Sequence, residues 1–571
     1  MNDPTMGQFY RRGLILTALL VLVVFIVVWQ LVSLQFEGSI AAETDEAPVT
    51  EGVATPTLAP DAEFAPVRGN IYDCHGYLLA AASTLYDLGA TPGMGDVEVL
   101  ADRLAALLDM SRDDILELLN SEGSYVRLKR RVSPAEVDTV RGWGVAGLSV
   151  DPWPSRVYPN KELAASVLGF AADDAKGYYG VEGYYDETLA GESGFRDTDY
   201  DDLGCLFLRV RPPRDGADIF LTLDRNIQSV VEDALAAAVG ENEAERGHVI
   251  VMDPSTGAIL AMATYPSYDP NDFVEVDDEL FVNPMVSDHY EPGSVFKVVT
   301  MASALDAGIV SGSTTYYDSG RIVVGGQVIK NSDGNAHGQT SMADLLALSL
   351  NVGAAHLSTS LGAYKFYDYL HRFGFNQPTN VDLAYEVTGQ LRIPGDRDWH
   401  ESDLGTNSFG QGLAVTPLQM ICAVSAVANN GLLMQPHVMD RVVDGGQVTE
   451  YEVKAVRQVI SPEAAAQTTA MLVHAVDTVL TTAAIEGYRV AGKSGTSEIP
   501  VMGTYDPLET IASFAGYVPA DEPRFSMLVI IDRPQKDHWG ITVAGPVFRK
   551  IAREVLTLLA VPVDSVRASL Q

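Results

Sequence analysis

The chain has 571 residues, 47% of them apolar, which is more than one hydrophobic core usually holds, so two or three folded units are expected. Its 38 Lys and Arg stand against 76 Asp and Glu, a net charge of -38 that repels phosphate backbones and removes nucleic acid as a partner. Three cysteines (Cys74, Cys205, Cys422) are too few and too scattered for a disulfide framework or paired C-x-x-C metal spacing, and HExxH, Walker and GxGxxG patterns are absent.

From the N-terminus, residues 1–12 end in Arg11-Arg12, and an uncharged apolar run from Leu14 to Leu34 follows, long enough to cross a bilayer. With Glu37, Glu43, Asp45 and Glu46 beyond it, the positive-inside rule places 1–12 in the cytoplasm, a membrane helix over 13–35 and the rest outside. A cleaved signal peptide is the weaker reading, because the apolar run exceeds a usual signal core. Residues 36–64 are acidic, small and proline-bearing, the composition of a tether.

The segment 65–215 reads as a mixed α+β unit. Two short strands are expected around a turn at Asp73 to Gly76, and Ser133-Pro134-Ala135-Glu136 carries a capping box that starts a helix. A larger unit, 216–561, begins with a helix opened by Asp224, whose apolar residues recur at helical spacing up to a stop at Gly240. HVIVMD and AILAMAT flank Pro254 to Gly257 as a buried hairpin; ASFAGYVP and SMLVIID are two further buried strands, and VAGPVFRKIAREVLTLL is an amphipathic helix. Strands at both ends with helices between imply a mixed sheet that brings distant segments together. Residues 562–571 read as a polar tail.

Three clusters carry chemistry. In Glu291-Pro292-Gly293-Ser294-Val295-Phe296-Lys297, a turn puts Ser294 at a helix start, where backbone N–H groups favour developing negative charge. Lys297 lies one turn on, and its apolar neighbours favour the neutral amine that a general base must be. Ser349 and Asn351 interrupt the apolar helical stretch TSMADLLALSLNVGAAHL, a cost that suggests they face a wet cleft. Lys493-Ser494-Gly495-Thr496 follows YRVAG on an expected strand, a cation beside hydroxyls suited to a carboxylate, with Gly495 admitting a substrate backbone. Each triplet alone is common and has a bland structural reading. The order S-x-x-K, S-x-N, K-[ST]-G, about 55 and then about 140 residues apart, is what makes them one site. His289, near the nucleophile, lacks an acidic orienter and reads as structural, as do His356 and Cys422 in apolar helices.

From about Pro66 to Glu554 the chain resembles a class B penicillin-binding protein. RGNIYDCHGYLLA, RVYPNKELAASVLGF and GVEGYYDETLAGESG resemble the boxes of that family's pedestal, or dimerisation-like, domain. LTLDRNIQ, DPSTGAILAMA, YEPGSVFK, FGQGLAVTPLQM and GPVF follow in its order. FAGYVPADEPRFSMLVIIDRP, with KSGT for KTGT, is more similar to the division branch than to the elongation branch. Departures lie mostly in the pedestal: Cys74 and His75 replace the usual Arg and Asn, Ser166 a frequent His, and Pro284 a frequent Arg.

The resemblance implies an α+β multidomain chain: membrane helix, pedestal, and a transpeptidase domain whose antiparallel sheet is flanked by helices as in β-lactamases. It implies that Ser294 is acylated by stem peptides and by β-lactams, that Lys297 takes its proton, and that Ser349 relays a proton to the leaving amine. Asn351 would position the peptide, and Lys493, Ser494, Gly495 and Thr496 would bind substrate, with N–H groups of Ser294 and Thr496 as the oxyanion hole. No metal or cofactor is implied. A glycosyltransferase of the SEDS family and other cell-wall membrane proteins are the implied partners. The competing functions are a serine β-lactamase, which needs no pedestal on a tether, and a β-lactam sensor or non-catalytic scaffold.

Overall fold

The computed structural model describes residues 62–172, 175–200, 206–501 and 504–570. The expected cytoplasmic terminus and membrane helix, most of the expected tether and Cys205 lie outside the described residues, among which no helix is long and apolar enough to cross a membrane.

The pedestal starts with β1 (Ile71–Tyr72) and β2 (Leu78–Ala90), the second longer than the sequence suggests. Their turn is built on Asp73, which is fully buried: Oδ1 accepts the N–H groups of His75 and Tyr77 at 2.9 and 2.8 Å, and Oδ2 that of Arg225 at 3.2 Å. Then follow α1 (Val97–Leu108), α2 (Arg112–Leu119), β3 (Val126–Val132), α3 (Pro134–Gly142) and β4 (Leu148–Val157). The capping box forms as expected, with the Ser133 N–H on the Glu136 carboxylate at 2.7 Å and the Glu136 N–H on Ser133 Oγ at 3.3 Å. Leu88, Leu100, Leu104, Ile115, Leu128 and Val137 close a small core of their own.

The short helix α4 (Gly180–Tyr184) buries Glu182 completely. Its carboxylate accepts from Arg68 Nε at 2.8 Å, Arg156 Nε at 2.6 Å and the Tyr158 hydroxyl at 3.1 Å, so three segments distant in sequence meet on one charge. Burial pushes this carboxyl up, but the guanidiniums of Arg156 and Arg68 outweigh it and hold the group below its ordinary 4.5.

β5 (Asp218–Leu221) leads into α5 (Arg225–Asn242), capped by Asp224 as expected but running two residues past Gly240 to a left-handed Glu243. The hairpin β6 (Arg246–Met252) and β7 (Ile259–Tyr265) is followed by the helices α6 (Lys297–Asp306), α7 (Met342–Ala347), α8 (Asn351–Leu361) and α9 (Pro417–Ala428). Next come β8 (Met439–Asp444), β9 (Gln447–Glu450), α10 (Pro462–Thr478), β10 (Ala491–Val501), β11 (Thr504–Val518), β12 (Phe525–Asp532) and α11 (Gly540–Leu558). The central sheet has the order β7-β6-β12-β11-β10 and is antiparallel throughout, not mixed as the strand pattern alone implies. Ile227, Val231, Leu235, Phe548 and Ile551 of α5 and α11 pack on one face against Val249, Val251, Phe514 and Val529. The other face, with Ile250, Met262, Leu528 and Ile530, belongs to the core that includes Val299 and Met420 of α6 and α9.

A second sheet joins the pedestal to this unit. Its order is β9-β8-β5-β1-β2-β3, with β4 also on β2, so strands of both halves share one hydrogen-bonded ladder. The segment after Pro562 is not a loose tail among the described residues: Asp564–Leu570 is a helix whose Arg567 is 8% exposed and bonded to Asp521 and Asp564.

Replacing Glu182 by Ala strands two buried guanidiniums, and we expect a loss of about 3–5 kcal/mol, measured as a fall in the unfolding midpoint. Because the folded carboxyl titrates below 4.5, its stabilisation is complete above that value and disappears as pH falls through the lowered one. The difference between wild type and Glu182→Ala therefore narrows in acid.

Candidate active site

The nucleophile turn is shaped by two glycines in the left-handed region. Gly293, at φ +55, donates its N–H to Gly410 O at 3.1 Å, and a Cβ on it would fall 2.4 Å from Ser497 Oγ. A Cβ on Gly410, at φ +80, would fall 2.3 Å from Gly293 O. Only glycine allows this approach. The turn then tightens into a 3-10 segment, Gly293–Phe296, before α6 begins at Lys297. Side chains three apart eclipse in that geometry, which sets Lys297 Nζ 3.0 Å from Ser294 Oγ.

Ser349 lies in a break between helices, not within one. Leu350 N–H reaches Leu345 O at 3.0 Å and Ser349 N–H reaches Leu346 O at 3.2 Å, the pairing of a Schellman stop, with Ser349 itself left-handed at φ +58. A serine where glycine is the usual choice costs conformational energy. The break delivers both Ser349 oxygens and the start of α8 to Lys297. Lys297 Nζ lies 2.6 Å from Ser349 O, 3.1 Å from Ser349 Oγ and 2.7 Å from Asn351 Oδ1; the Asn351 amide is oriented by donating to Lys330 O at 3.2 Å.

Lys297 is 1% exposed, and burial, reinforced by the second buried amine of Lys493, holds it well below its ordinary 10.5. Once neutral, the amine has two N–H groups, for the short contacts to Ser349 O and Asn351 Oδ1, and one lone pair left facing the Ser294 hydroxyl. That is the arrangement of a general base waiting on its proton.

β10 supplies the opposite wall. Ser494 and Thr496, two apart on the strand, face the cleft together. Lys493 does not. It is fully buried, donates to Ser494 O at 2.8 Å, and is brought down by burial to about 7, which leaves the two hydroxyls as the side chains of this motif that line the cleft. Gly495 also has a different task from the expected one: its Cβ would meet Ser513 Oγ at 2.4 Å and Val295 Cγ2 at 2.8 Å, so it seats the strand against the nucleophile turn.

Together these segments line a cleft of about 600 Å³ that receives Ser294, Ser349, Asn351, Ser494 and Thr496. Sequence reasoning missed its far side, formed by Glu498, Thr510, His538 and Trp539. Strand alternation beyond Thr496 points to Glu498; nothing local marks Thr510 or His538. Gly540 at the start of α11 donates its N–H to Thr496 Oγ1 at 3.0 Å and fixes that hydroxyl. His289 lies elsewhere, with Nε2 2.8 Å from Thr388 O; Cys422 is core, as expected, whereas His356, expected to be buried in its helix, is exposed and stacks on Tyr316.

The profile described as the penicillin binding protein transpeptidase domain matches residues 247–553, and that of the penicillin-binding protein dimerisation domain matches 63–221. Stage V sporulation protein D of Bacillus subtilis is 33% identical over 519 residues, 87% of this chain and 79% of the relative. Peptidoglycan D,D-transpeptidase FtsI of Escherichia coli is 30% identical over 519 residues, 87% of this chain and 84% of the relative. The crystal structure of penicillin binding protein 3 of Mycobacterium tuberculosis complexed with aztreonam superposes with a TM-score of 0.70 at 26% identity, covering 88% of this chain and 98% of that one.

Lys297→Arg keeps a cation but cannot lose its proton. We expect β-lactam acylation to fall by about 10²–10⁴. The wild-type rate should rise with pH along a limb centred well below 10.5, and stopped-flow acylation across pH should show that limb missing in the variant. For Ser349, glycine is the informative substitution, since it adopts φ +58 freely and removes the hydroxymethyl group without adding backbone strain.

Proposed function

We propose, since the chain belongs to the class B penicillin-binding proteins, that it is a peptidoglycan D,D-transpeptidase acting through a Ser294 acyl-enzyme. The observation that carries the reading is the buried, neutral-leaning Lys297 held on Ser294 by Ser349 and Asn351.

Lys297 accepts the Ser294 proton as Oγ attacks the carbonyl of the penultimate D-alanine of a donor stem peptide. The tetrahedral oxyanion is met by the backbone N–H groups of Ser294 and Thr496, each such donor worth about 3 kcal/mol in comparable enzymes. Collapse breaks the peptide bond, the departing amine takes its proton through Ser349, and terminal D-alanine leaves. The amine of a neighbouring stem then attacks the ester, its proton returning by way of Lys297, and Ser294 is regenerated as the cross-link forms. Ser494 and Thr496 receive the terminal carboxylate, Asn351 orients the peptide, and Lys493 supplies positive potential from beneath the strand. β-Lactams acylate Ser294 as mimics of the same substrate.

The reading extends to place. The apolar run 14–34 with arginines before it and carboxylates after it supports a single span of the bacterial cell membrane, with the N-terminus cytoplasmic and the cleft outside. The division-like tract around KSGT supports work at the septum beside a SEDS-family glycosyltransferase. No metal or cofactor takes part in the acyl transfer proposed.

A fluorescent penicillin should label the full chain stably and Ser294→Ala not at all, while nascent peptidoglycan incubated with the wild type should yield cross-linked stems by mass spectrometry. Rapid loss of the label would identify a β-lactamase instead, stable label without cross-links a sensor, and no label a scaffold.

A further inference from the structure

We infer that Cys74, His75 and Asp224 together bind one zinc ion, which clamps the pedestal onto the first helix of the catalytic unit. Nothing in the transpeptidase reading requires this site, and it stands apart from the cleft residues.

Sequence spacing conceals the cluster, because Asp224 is 150 positions from Cys74. The fold assembles it. Cys74 donates its N–H to Leu223 O at 2.9 Å, and buried Asp73 reaches Arg225 N–H at 3.2 Å, so the β1–β2 turn is fastened on both sides of Asp224. Cys74 and His75 are also the two turn positions where the chain departs from the family pattern. The three ligand atoms lie within 4.8 Å of one another, with His75 Nε2 3.0 Å from Asp224 Oδ2. Zinc legs of about 2.0–2.3 Å give tetrahedral edges of about 3.3–3.6 Å, so closure needs shifts of about 1 Å from a half-buried thiol and an exposed imidazole.

Asp224 is already oriented as a ligand. Its Oδ1 accepts from Asn226 N–H at 2.8 Å and Ile227 N–H at 3.4 Å as the cap of α5, which leaves Oδ2 directed at His75. One sulfur, one imidazole nitrogen and one carboxylate oxygen suit zinc and disfavour calcium or magnesium, which take oxygen sets. On binding, the thiol gives its proton to solvent, His75 exchanges the Nε2–H it donates to Asp224 for the Nδ1–H tautomer so that an Nε2 lone pair faces the metal, and water fills the fourth position. Because the ligands come from the β1–β2 turn and the cap of α5, the ion would act as a clamp between them.

The test uses the full-length chain in detergent, loaded with zinc and desalted, with zinc per chain measured by plasma mass spectrometry and Co²⁺ loading read by thiolate charge-transfer absorption. Expected are one zinc per chain, a cobalt–thiolate band, and a zinc-dependent rise in unfolding midpoint. Cys74→Ser should abolish the band and weaken zinc binding at least about tenfold, His75→Ala should weaken it likewise, and Cys205→Ser should change nothing. Fluorescent penicillin labelling of each variant establishes that it is folded. Wild-type protein that takes the label yet retains no zinc overturns the inference, leaving a His–Asp contact only. Equal zinc in Cys74→Ser overturns it too.

Discussion

The constraint on which the catalytic half depends is the burial of one amine, Lys297, among oxygens of two segments, the nucleophile turn and Ser349 to Asn351. An ammonium at 1% exposure is costly, and the chain meets that cost with four acceptors instead of a carboxylate. A carboxylate partner would have favoured the charged form. Carbonyl, amide and hydroxyl oxygens hold the side chain in place while leaving desolvation free to favour the neutral amine. Structure and reactivity therefore have one source.

That arrangement dictates much of the surrounding backbone. To bring Ser349 O to 2.6 Å from Nζ, the helical stretch must break between α7 and α8, and the break costs a left-handed serine. To bring β10 against the nucleophile turn, side chains are removed at Gly293, Gly410 and Gly495, where Cβ atoms would stand 2.3 to 2.4 Å from their neighbours. The sheet supplies the reference frame. β10 is tied to β11 over its length, and α5 and α11 cover the face opposite the helical core, so the strand wall is fixed before substrate arrives.

What the sequence makes legible follows from range. Local signals, such as the Ser133 capping box, the Asp224 cap and the hairpin around Pro254 to Gly257, are set by neighbours in the chain and form as expected. The three catalytic triplets are legible as a set because their order carries information that none has alone. The helix break at Ser349 is not, since the apolar residues of LLALSLNVG run on through it without Gly or Pro at the break itself, and the contacts of Lys297 with Ser349 and Asn351 are tertiary. The burial of Lys493 is illegible for a related reason: a motif fixes a residue's identity, while its burial depends on what packs over the strand. The far wall of the cleft comes from β11 and the approach to α11, and no spacing rule ties Thr510 or Trp539 to Ser294.

The pedestal shows how the two halves become one object. β5 is antiparallel to β8 of the catalytic unit and parallel to β1 of the pedestal, so the ladder between them is backbone and insensitive to side-chain identity. Specificity is added by charges buried at single points: within the pedestal Glu182 gathers Arg68, Arg156 and Tyr158, and across the junction Asp73 joins its own turn to the N-terminus of α5. Each is a carboxylate whose lone pairs are filled from segments far apart in sequence, so neither can be satisfied until those segments have docked. With strands of both halves in one ladder and Asp73 bonded across the junction, the pedestal and the catalytic unit share one continuous hydrogen-bonded frame.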